Sequence, residues 1–567
     1  MKRQILGCLL LFISTLFYGQ TNNPTSIYEG FTIQDVNVKF TNMPVDDALA
    51  ESYKQIVGQV FALEPESNYS AILASFYTSR VKLLPFVSDA VLSLLPAFGG
   101  NVSVTLDVTV TDKLKASVSE TTFRNPRLLP VLYNSERAYF TLRAAASEMV
   151  YSNDNPWFGQ SQAMTTGNPL ADSPAGKGYT GWLEGFGSLG IYGVYDVVPR
   201  MGLHIYGGAS YLVSFSAGNE LFTNRSRFYG APEDAFVGIV GGKQYATGKK
   251  YLYNVTYGRK SFTLGDGFLI TNTSMNGGNR AALQLNARWA AKELFTASFQ
   301  WNWVMLQVFN IKPNELDNLN SHTILRGANL QLYSKYGGTL GLSYITVPRS
   351  DFRYYLPDGT IYSRKGLEVY NIRFFRNNSP KGGIFFKAEA AYERNRNFDM
   401  NAWAYYGELG WSFARVKGRP VFSYRYASFS GDNSDSKSYN RWDALYTGGN
   451  GEMWVQGSNM YKLVQNSNER THRFQALYSP GRKWQMVGQF WLFYADDLNN
   501  IGGNPALSTL KSKFYGTEYN LTVKYFHSQH WYFHCNVAYT LPGAAIRDNL
   551  VSTKHWLCAM AFARYSF

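Results

Sequence analysis

The chain has 567 residues, a formal net charge of +14 and an aromatic content of 16%. Its mean hydropathy is −0.24, and no stretch beyond the N-terminal apolar run approaches the roughly 20 consecutive apolar residues that a membrane-spanning helix needs. This composition excludes a helical membrane protein and leaves room for several soluble domains, or for one large barrel with an accessory domain.

The N-terminus predicts a secretory signal peptide. Lys2 and Arg3 precede the apolar run Ile5–Phe17, and Gly19 lies just beyond that run. A cationic start followed by a short apolar segment is typical of such peptides. We therefore assign residues 1–20 to the signal and expect the mature chain to leave the cytoplasm.

Residues 21–130 predict a small α+β domain in the periplasm. Val102 and Val104 alternate with Ser103 and Thr105, as in a half-buried strand, whereas other segments carry apolar residues at helical spacing. The predicted elements are strand Phe31–Phe40, helix Val45–Phe61, helix Asn68–Ser79, strand Phe86–Leu95 and strand Asn101–Asp112. The expected order is therefore β-α-α-β-β.

The remaining segment, residues 131–567, repeats an apolar/polar alternation with a period of two. Tyr519 and Leu521 share one face of a strand, while Glu518 and Asn520 share the other. The clearest segments of this kind are Leu283–Trp289, Phe295–Trp303, Glu518–Tyr525, Trp531–Thr540 and His555–Phe567. The alternation indicates a transmembrane barrel with apolar residues outside and polar residues inside. The final strand ends on Phe567, and a terminal aromatic residue resembles the insertion signal of outer-membrane barrels.

The predicted connections alternate between short and long, as in an up-and-down barrel whose two ends face different compartments. The short ones are Ala290–Glu293, Tyr336–Gly338, Arg376–Gly382, Ala414–Arg419, Ser479–Lys483 and His527–His530. The long ones are Gln307–Arg326, Val347–Gly366, Ser430–Glu469, Asp496–Lys513 and Leu541–Lys554. Clear strands, together with weak ones near Phe236 and Phe268, predict an all-β barrel of about 18 antiparallel strands, with 16 as the alternative even number.

Strand parity predicts which charged residues face the lumen. The inward-facing residues, expected to line the pore, are Arg288, Arg373, Lys387, Arg425, Arg473, Lys524, Arg564, Glu389, Glu408 and Glu518. Leu285, Tyr424 and Phe474 are expected to face lipid. An excess of lumen cations favours anions, whereas the alternative is that such charges mainly hold the wall together. Because the positive charge falls on lumen and loop positions, no nucleic-acid partner is predicted.

A Gly- and Asp-rich loop forms a second candidate site, made of Gly431, Asp432, Asn433 and the downstream Asp443. Its acidic side chains can accept backbone hydrogen bonds in a turn or ligate a cation. We prefer the turn, because no acidic ligand follows at the spacing of a calcium loop. The sequence has no Gly-x-Ser-x-Gly elbow, no phosphate loop and no metal-ligand spacing among its seven His residues. We predict no enzymatic activity, no metal and no cofactor.

Several short motifs resemble the alginate export family of outer-membrane barrels. They are Val255–Phe262 followed by Leu264–Phe268, Tyr424–Asn433 followed by Trp442–Tyr446, Gly516–Glu518 and Leu541–Gly543. The resemblance spans most of Phe236–Phe567. It implies a channel in the outer membrane of a Gram-negative bacterium, surrounded by lipid, that passes anionic polysaccharide or small anions.

The segment 21–130 resembles a POTRA domain through its order of elements. This resemblance implies contact with a periplasmic protein, often by strand addition, and an alternative function as a protein translocator or outer-membrane assembly factor. The outer-membrane assembly and two-partner secretion superfamily, in which POTRA domains precede a barrel, carries an Arg-Gly-aromatic motif on a barrel loop. Here Arg326 and Gly327 are followed by Ala328, so the motif is absent. The channel is therefore the first hypothesis.

Overall fold

A computed structural model describes residues 28–65, 67–96, 101–111, 130–172, 178–198, 202–245, 249–334, 337–356, 358–377, 382–448, 454–481, 483–528 and 530–567. The predicted signal peptide, residues 1–20, lies outside this range. No helix among the described residues is both long and apolar enough to cross a membrane.

An N-terminal unit has the predicted β-α-α-β-β order. Its elements are β1 (Ile33–Thr41), α1 (Asp47–Val60), α2 (Ala71–Lys82), β2 (Val87–Pro96) and β3 (Val102–Val110). The sheet has the order β1-β3-β2, with β1 parallel and β2 antiparallel to β3. Helix α1 begins after Asp46, whose carboxylate accepts the backbone N–H of Ala48 at 2.9 Å. The resemblance to POTRA domains stays a prediction.

Helix α2 is covered on almost every side, with nine of its 12 residues buried. One side packs against β2, and the other packs against the barrel. Phe76 lies edge-on to His204 of the barrel wall, with ring centroids 5.0 Å apart. A helix without a polar face is expected where both sides are covered, so α2 joins the N-terminal unit to the barrel.

The second part is a closed antiparallel barrel, which confirms the predicted fold class. The strands of this part, in chain order, are β4 (Val131–Asn134), β5 (Ala138–Asp154), β6 (Tyr179–Val198), β7 (Leu203–Gly218), β8 (Arg227–Gln244), β9 (Lys250–Arg259), β10 (Glu293–Trp301), β11 (Val304–Lys312), β12 (Ile324–Tyr333), β13 (Gly338–Arg349), β14 (Arg353–Tyr355), β15 (Ile361–Ser363), β16 (Leu367–Arg376), β17 (Gly383–Asn395), β18 (Ala402–Ser412), β19 (Val421–Phe429), β20 (Glu469–Gly481), β21 (Trp484–Tyr494), β22 (Phe514–Phe526), β23 (Trp531–Pro542) and β24 (Trp556–Ser566). Strand β4 is a short extension beside β5, and β14 and β15 form a hairpin outside the wall. Strands β5–β13 and β16–β24 give 18 strands in the described residues.

The barrel closes between its first and last long strands. Strand β24 pairs with β5 from Leu557 opposite Asp154 to Ser566 opposite Ala145. The terminal Phe567 continues this ladder, because its backbone N–H donates to the Ala144 carbonyl at 3.0 Å. The last residue of the chain therefore takes part in closure.

Alternation along the strands follows from the two environments of the wall. Tyr519 and Leu521 are 49% and 54% exposed on the outer surface, whereas Glu518, which precedes Tyr519, is fully buried inside. Tyr424 and Phe474 also lie on the outer surface, as predicted. The outer positions are the ones that lipid covers in a membrane barrel.

Residues 260–292 correct the sequence-based assignment. The predicted strand Leu283–Trp289, the weak strand near Phe268 and the short link Ala290–Glu293 are wrong, because this whole connection between β9 and β10 lies inside the barrel without strand structure. Leu285 is buried there and does not face lipid. We call residues 260–292 the first inner segment.

Wall carboxylates hold the first inner segment. Glu184 accepts the backbone N–H groups of Gln284 and Leu285, each at 3.0 Å. Glu233 accepts those of Trp289 and Ala290 at 2.7 and 2.8 Å. These bonds satisfy backbone donors that a strand would have paired with a neighbour.

A second inner segment, residues 454–468, comes from the long connection between β19 and β20. It carries the short helix α4 (Tyr461–Val464), and its Trp454, Met460 and Leu463 are buried against the wall. The other short helices are α3 (Ser161–Thr165) and α5 (Ala544–Leu550). Short 3-10 turns lie at Pro156–Gly159, Gly278–Arg280, Asp317–Leu319 and Pro505–Leu507.

Candidate functional site

The predicted lumen residues all lie inside the barrel, although Arg288 does so for a different reason from the one expected. Arg288 belongs to the first inner segment, and it donates from Nη1 to Ser214 Oγ of β7 at 2.7 Å. The other nine residues lie on the inner face of wall strands. Most of them are covered by the two inner segments and are almost inaccessible to solvent.

Arg373 on β16 connects the wall to the first inner segment. Its guanidinium donates to Ser343 Oγ at 2.8 Å and to Asn329 Oδ1 at 2.6 Å. Gly265 of the segment lies against it, and a Cβ on that residue would come within 3.1 Å of Arg373 Nε. Gly265 also has a φ of +59°, so both the backbone and the contact favour glycine.

Asp266, the next residue of the segment, faces side chains of the wall and of the second inner segment. It accepts hydrogen bonds from Tyr406 Oη at 2.6 Å and from Trp454 Nε1 at 3.2 Å, and Lys387 Nζ lies 4.0 Å away. Glu389 accepts from Asn371 Nδ2 at 2.8 Å in the same region. The sequence-based prediction included Lys387 and Glu389 but missed Asp266, because no alternation marked its segment as an inner one.

Arg425 and Arg473 occupy the wall beside the second inner segment. Arg473 Nη2 donates to Glu408 Oε1 at 2.5 Å, which makes a buried ion pair across β18, β19 and β20. The Arg425 guanidinium lies 4.3 Å from the ring centroid of Trp454, in a cation–π contact. Arg473 therefore pairs with a carboxylate of the wall, and Arg425 contacts an aromatic ring of the second inner segment.

Glu518 on β22 caps the backbone of the second inner segment. Its carboxylate accepts the N–H groups of Asn459 at 3.1 Å and Met460 at 2.9 Å, and also contacts Ser458 N. Gly457 lies so close that a Cβ there would come within 2.9 Å of Glu518 Oε1. Glu518, which was predicted to line the pore, therefore holds the second inner segment inside the lumen.

The predicted motif loop lies at the long-connection end of the barrel. Asp432 accepts the backbone N–H of Asn440 at 2.9 Å, and Asn433 accepts that of Asp435 at 3.0 Å. Gly431 donates its N–H to Asp496 at 2.9 Å. These are the contacts of a turn. Among the described residues, no group of three His, Cys, Asp or Glu side chains is arranged to hold a metal ion.

Asp443 links the same loop to the connection between β13 and β16. Arg364 binds it with two hydrogen bonds, from Nε at 2.6 Å and Nη2 at 2.8 Å, and Tyr354 Oη donates to it at 2.6 Å. The bidentate geometry is the strongest form of this pairing. Asp443 therefore fixes one long connection to another.

Lys524 and Arg564 differ from the other predicted cations because they line an internal cavity of about 410 Å³. Lys462 of α4 also lines this cavity, and burial lowers the pKa of its ammonium group. We call this the cationic cavity. No described residue that lines it is acidic.

The cationic cavity follows β22, β23 and β24 along the barrel. Tyr532 lies next to the short-turn end of β23, whereas Asn168 and Leu170 belong to the long connection at the other end. Arg564 stacks 5.2 Å from the ring centroid of Phe186, and Lys524 donates to Gln485 at 3.1 Å. Cations, amides and aromatic rings thus share one elongated space.

The N-terminal unit occupies the short-turn end of the lumen. Glu29 lies 3.4 Å from Lys260 and 3.8 Å from Arg143, and it accepts the Ala71 N–H at 2.8 Å. Thr32 Oγ1 donates to the Gly265 carbonyl at 2.6 Å. These contacts join the unit both to the wall and to the first inner segment.

A second cavity of about 430 Å³ lies between the N-terminal unit and strands β6–β12. Its lining includes Lys243, Lys250 and Arg80, but also Glu64 and Asp196. Glu64 and Lys250 form an ion pair. This cavity is therefore of mixed charge.

Comparison with known proteins identifies a family match over most of the barrel. The sequence pattern of the alginate export family matches residues 229–559, more than half of the chain. No match was found among curated proteins.

Similar solved structures include OpdQ of Pseudomonas aeruginosa (TM-score 0.45, 10% identity, covering 76% of this chain and 97% of that chain). They also include OccAB4 of Acinetobacter baumannii (TM-score 0.44, 11% identity, covering 75% and 97%). OccK7 (OpdD) of Pseudomonas aeruginosa has a TM-score of 0.42 and 9% identity, covering 76% and 98%.

Proposed function

Because the chain belongs to the alginate export family, we propose that it is a non-enzymatic outer-membrane channel through which an anionic polysaccharide crosses. The observation that carries this proposal is the cationic cavity, where Lys462, Lys524 and Arg564 face one space and no described lining residue is acidic. A positive lining attracts and retains anions.

The other lining groups suit a sugar acid. Seven are side-chain amides, which exchange hydrogen bonds with hydroxyl groups, and seven are aromatic rings, which provide flat apolar surfaces. The amides are Asn168, Asn272, Asn276, Gln284, Asn286, Gln465 and Asn536, and the rings are Tyr28, Phe31, Tyr151, Phe222, Tyr461, Tyr532 and Phe562. Carboxylates of a polyuronate would pair with the three cations.

The predicted pore residues have different roles in this proposal. Lys524 and Arg564 contact the solute and set selectivity. Of the remaining predicted charges, Arg373 and Glu518 position the inner segments, as their contacts with Gly265 and Met460 support. The pair of Arg473 and Glu408 joins strands of the wall.

The N-terminal unit regulates access to this path in our proposal. Tyr28 and Phe31 belong to the unit and also line the cationic cavity. Displacement of the unit would therefore widen the path at its short-turn end. The Glu29 contacts with Lys260 and Arg143 would oppose that displacement. Binding of a periplasmic protein to the unit is a means of displacing it.

Single-channel recording of the purified chain in a planar bilayer tests the proposal. In a salt gradient, the reversal potential should have the sign of an anion-selective channel. Soluble oligouronates should block the current reversibly. Neutral dextran oligosaccharides of the same length serve as the matched control and should block much less. A cation-selective current, or equal block by both sugars, would contradict the proposal.

A further inference from the structure

The outer surface of β11–β18 carries three ordered rows of side chains near the long-connection end. The backbone register aligns Asn310, Arg326, Thr346, Glu368 and Arg394 in one row. The next row toward the middle of the wall is Val308, Ala328, Tyr344, Tyr370, Tyr392 and Trp403. The following row is Leu306, Leu330, Leu342, Ile372, Ala390 and Tyr405.

This sequence of charged, aromatic and aliphatic rows locates the membrane interface. Aromatic residues form girdles at the boundaries of the hydrocarbon band, so the charged row lies at headgroup level. Long connections of such barrels face the exterior. The charged row is therefore in contact with headgroups of the outer leaflet.

Glu368 is the centre of the charged row. Although it lies on the outer surface, its side chain is only 3% exposed. Arg394 Nε donates to Oε2 at 2.8 Å, Arg396 Nε donates to Oε1 at 2.8 Å, and Tyr344 Oη donates to Oε1 at 2.6 Å. One carboxylate thus orients two guanidinium groups toward the surroundings.

The row keeps an excess of positive charge. The Arg394 and Arg396 side chains are 54% and 63% exposed despite their contacts with Glu368. Arg326 is exposed as well and uses Nε to bind Asn310 at 3.0 Å. Three cations against one carboxylate leave a net of two positive charges on exposed guanidinium groups.

We propose that Arg326, Arg394 and Arg396 bind the phosphate groups of a phosphorylated glycolipid in the outer leaflet. Arginine is suited to phosphate because its planar donors match pairs of phosphate oxygens. Arg326 and Arg394 are three strand spacings apart, about 14 Å at the usual separation of neighbouring strands. That span suits a headgroup with two phosphates, while the aromatic and aliphatic rows below contact its acyl chains.

Arg470 on β20 provides an internal comparison. It also lies on the outer surface near the long connections, but its guanidinium pairs with Asp496 at 2.5 Å. This pair is neutral and adjoins no second outward cation on its own strand, where the next outward position is His472. We therefore expect phosphate binding at the Arg326 row and not at Arg470.

Native mass spectrometry of the purified full chain with lipid A measures this binding directly. The variant R326Q/R394Q/R396Q removes the charge but keeps side-chain donors for Glu368, and it should weaken lipid A binding at least about tenfold. The matched variant R470Q should bind as the unsubstituted chain does. Heat-dependent gel mobility reports whether each variant is a folded barrel.

Two further measurements decide the proposal even if the triple variant does not fold. The unsubstituted chain should bind lipid A at least about tenfold more tightly than its dephosphorylated form. The charge-preserving variant R326K/R394K/R396K should bind lipid A more tightly than the glutamine variant, because it keeps the positive charge, but less tightly than the unsubstituted chain, because lysine lacks the paired planar donors. Equal affinity for the phosphorylated and dephosphorylated lipids would overturn the proposal, as would equal loss in R470Q and the triple variant.

Discussion

The carboxylate of Glu518 accepts the backbone N–H of Met460 at 2.9 Å, so a charged residue of the barrel wall holds a segment that lies inside the lumen. Glu184 and Glu233 have the same relation to the first inner segment. In each case a wall carboxylate replaces the strand partner that the backbone of the segment lacks. The lumen is therefore a folded interior with cavities.

Glu518→Ala should release the second inner segment. Each backbone N–H left without an acceptor costs about 1–3 kcal/mol, and Glu518 serves three such groups. We expect faster proteolysis within residues 454–468 and a larger conductance, with the barrel intact. Glu293→Ala, at an outer-surface ion pair with Lys312, is the control and should change neither quantity. Unchanged proteolysis in Glu518→Ala would contradict this role.

Selectivity should depend on Lys524 and Arg564 in particular. Charge reversal by Lys524→Glu or Arg564→Glu changes the electrostatic field inside the cationic cavity. The reversal potential should therefore shift toward the value for cation selectivity. Lys54→Glu makes the same change on the exposed surface of α1 and should have no effect. Reversal potentials in a salt gradient provide the measurement. Equal shifts in all three variants would show that overall charge, and not the cavity, determines selectivity.

The sequence predicted the wall well because two environments alternate along it. Tyr519 and Leu521 face lipid while Glu518 and Asn520 face the interior, and this contrast is local in the chain. The Leu283–Trp289 segment produced the same alternation inside the lumen, where one side packs on the wall. Periodicity alone cannot distinguish these cases.

The contacts that organise the lumen were less predictable. Glu184 meets Leu285 across 101 positions, and Asp266 meets Tyr406 across 140. Such pairs depend on which connections fold inward, and no short motif encodes that. Strand parity located Lys524 and Arg564 on the inner face, but it could not separate them from Arg373, which the first inner segment covers.

A charge placed on the outer surface at the level of the aliphatic row should destabilise the barrel. Phe299 on β10 is 49% exposed and lies opposite Leu306 of that row. Phe299→Arg should lower the free energy of unfolding by up to roughly 4 kcal/mol, the largest cost of an arginine on the lipid-facing surface of a barrel. Ser298→Arg, at the adjacent position that lines the mixed-charge cavity, should cost much less. Urea unfolding in lipid vesicles compares the two, and the opposite order would mean that the register of β10 is inverted.

Glu29 should keep the N-terminal unit in the barrel mouth. Glu29→Ala removes the contacts with Lys260 and Arg143, together with the acceptor for the first N–H of α2. The buried cations would then lack their partner, and α2 would lose a helix-end acceptor. We expect more frequent opening in single-channel records and faster amide exchange in α2. Glu51→Ala removes an exposed pair with Lys54 at the surface of the same unit and serves as the control. If Glu29→Ala speeds amide exchange without any change in opening, the unit is not a gate for the channel.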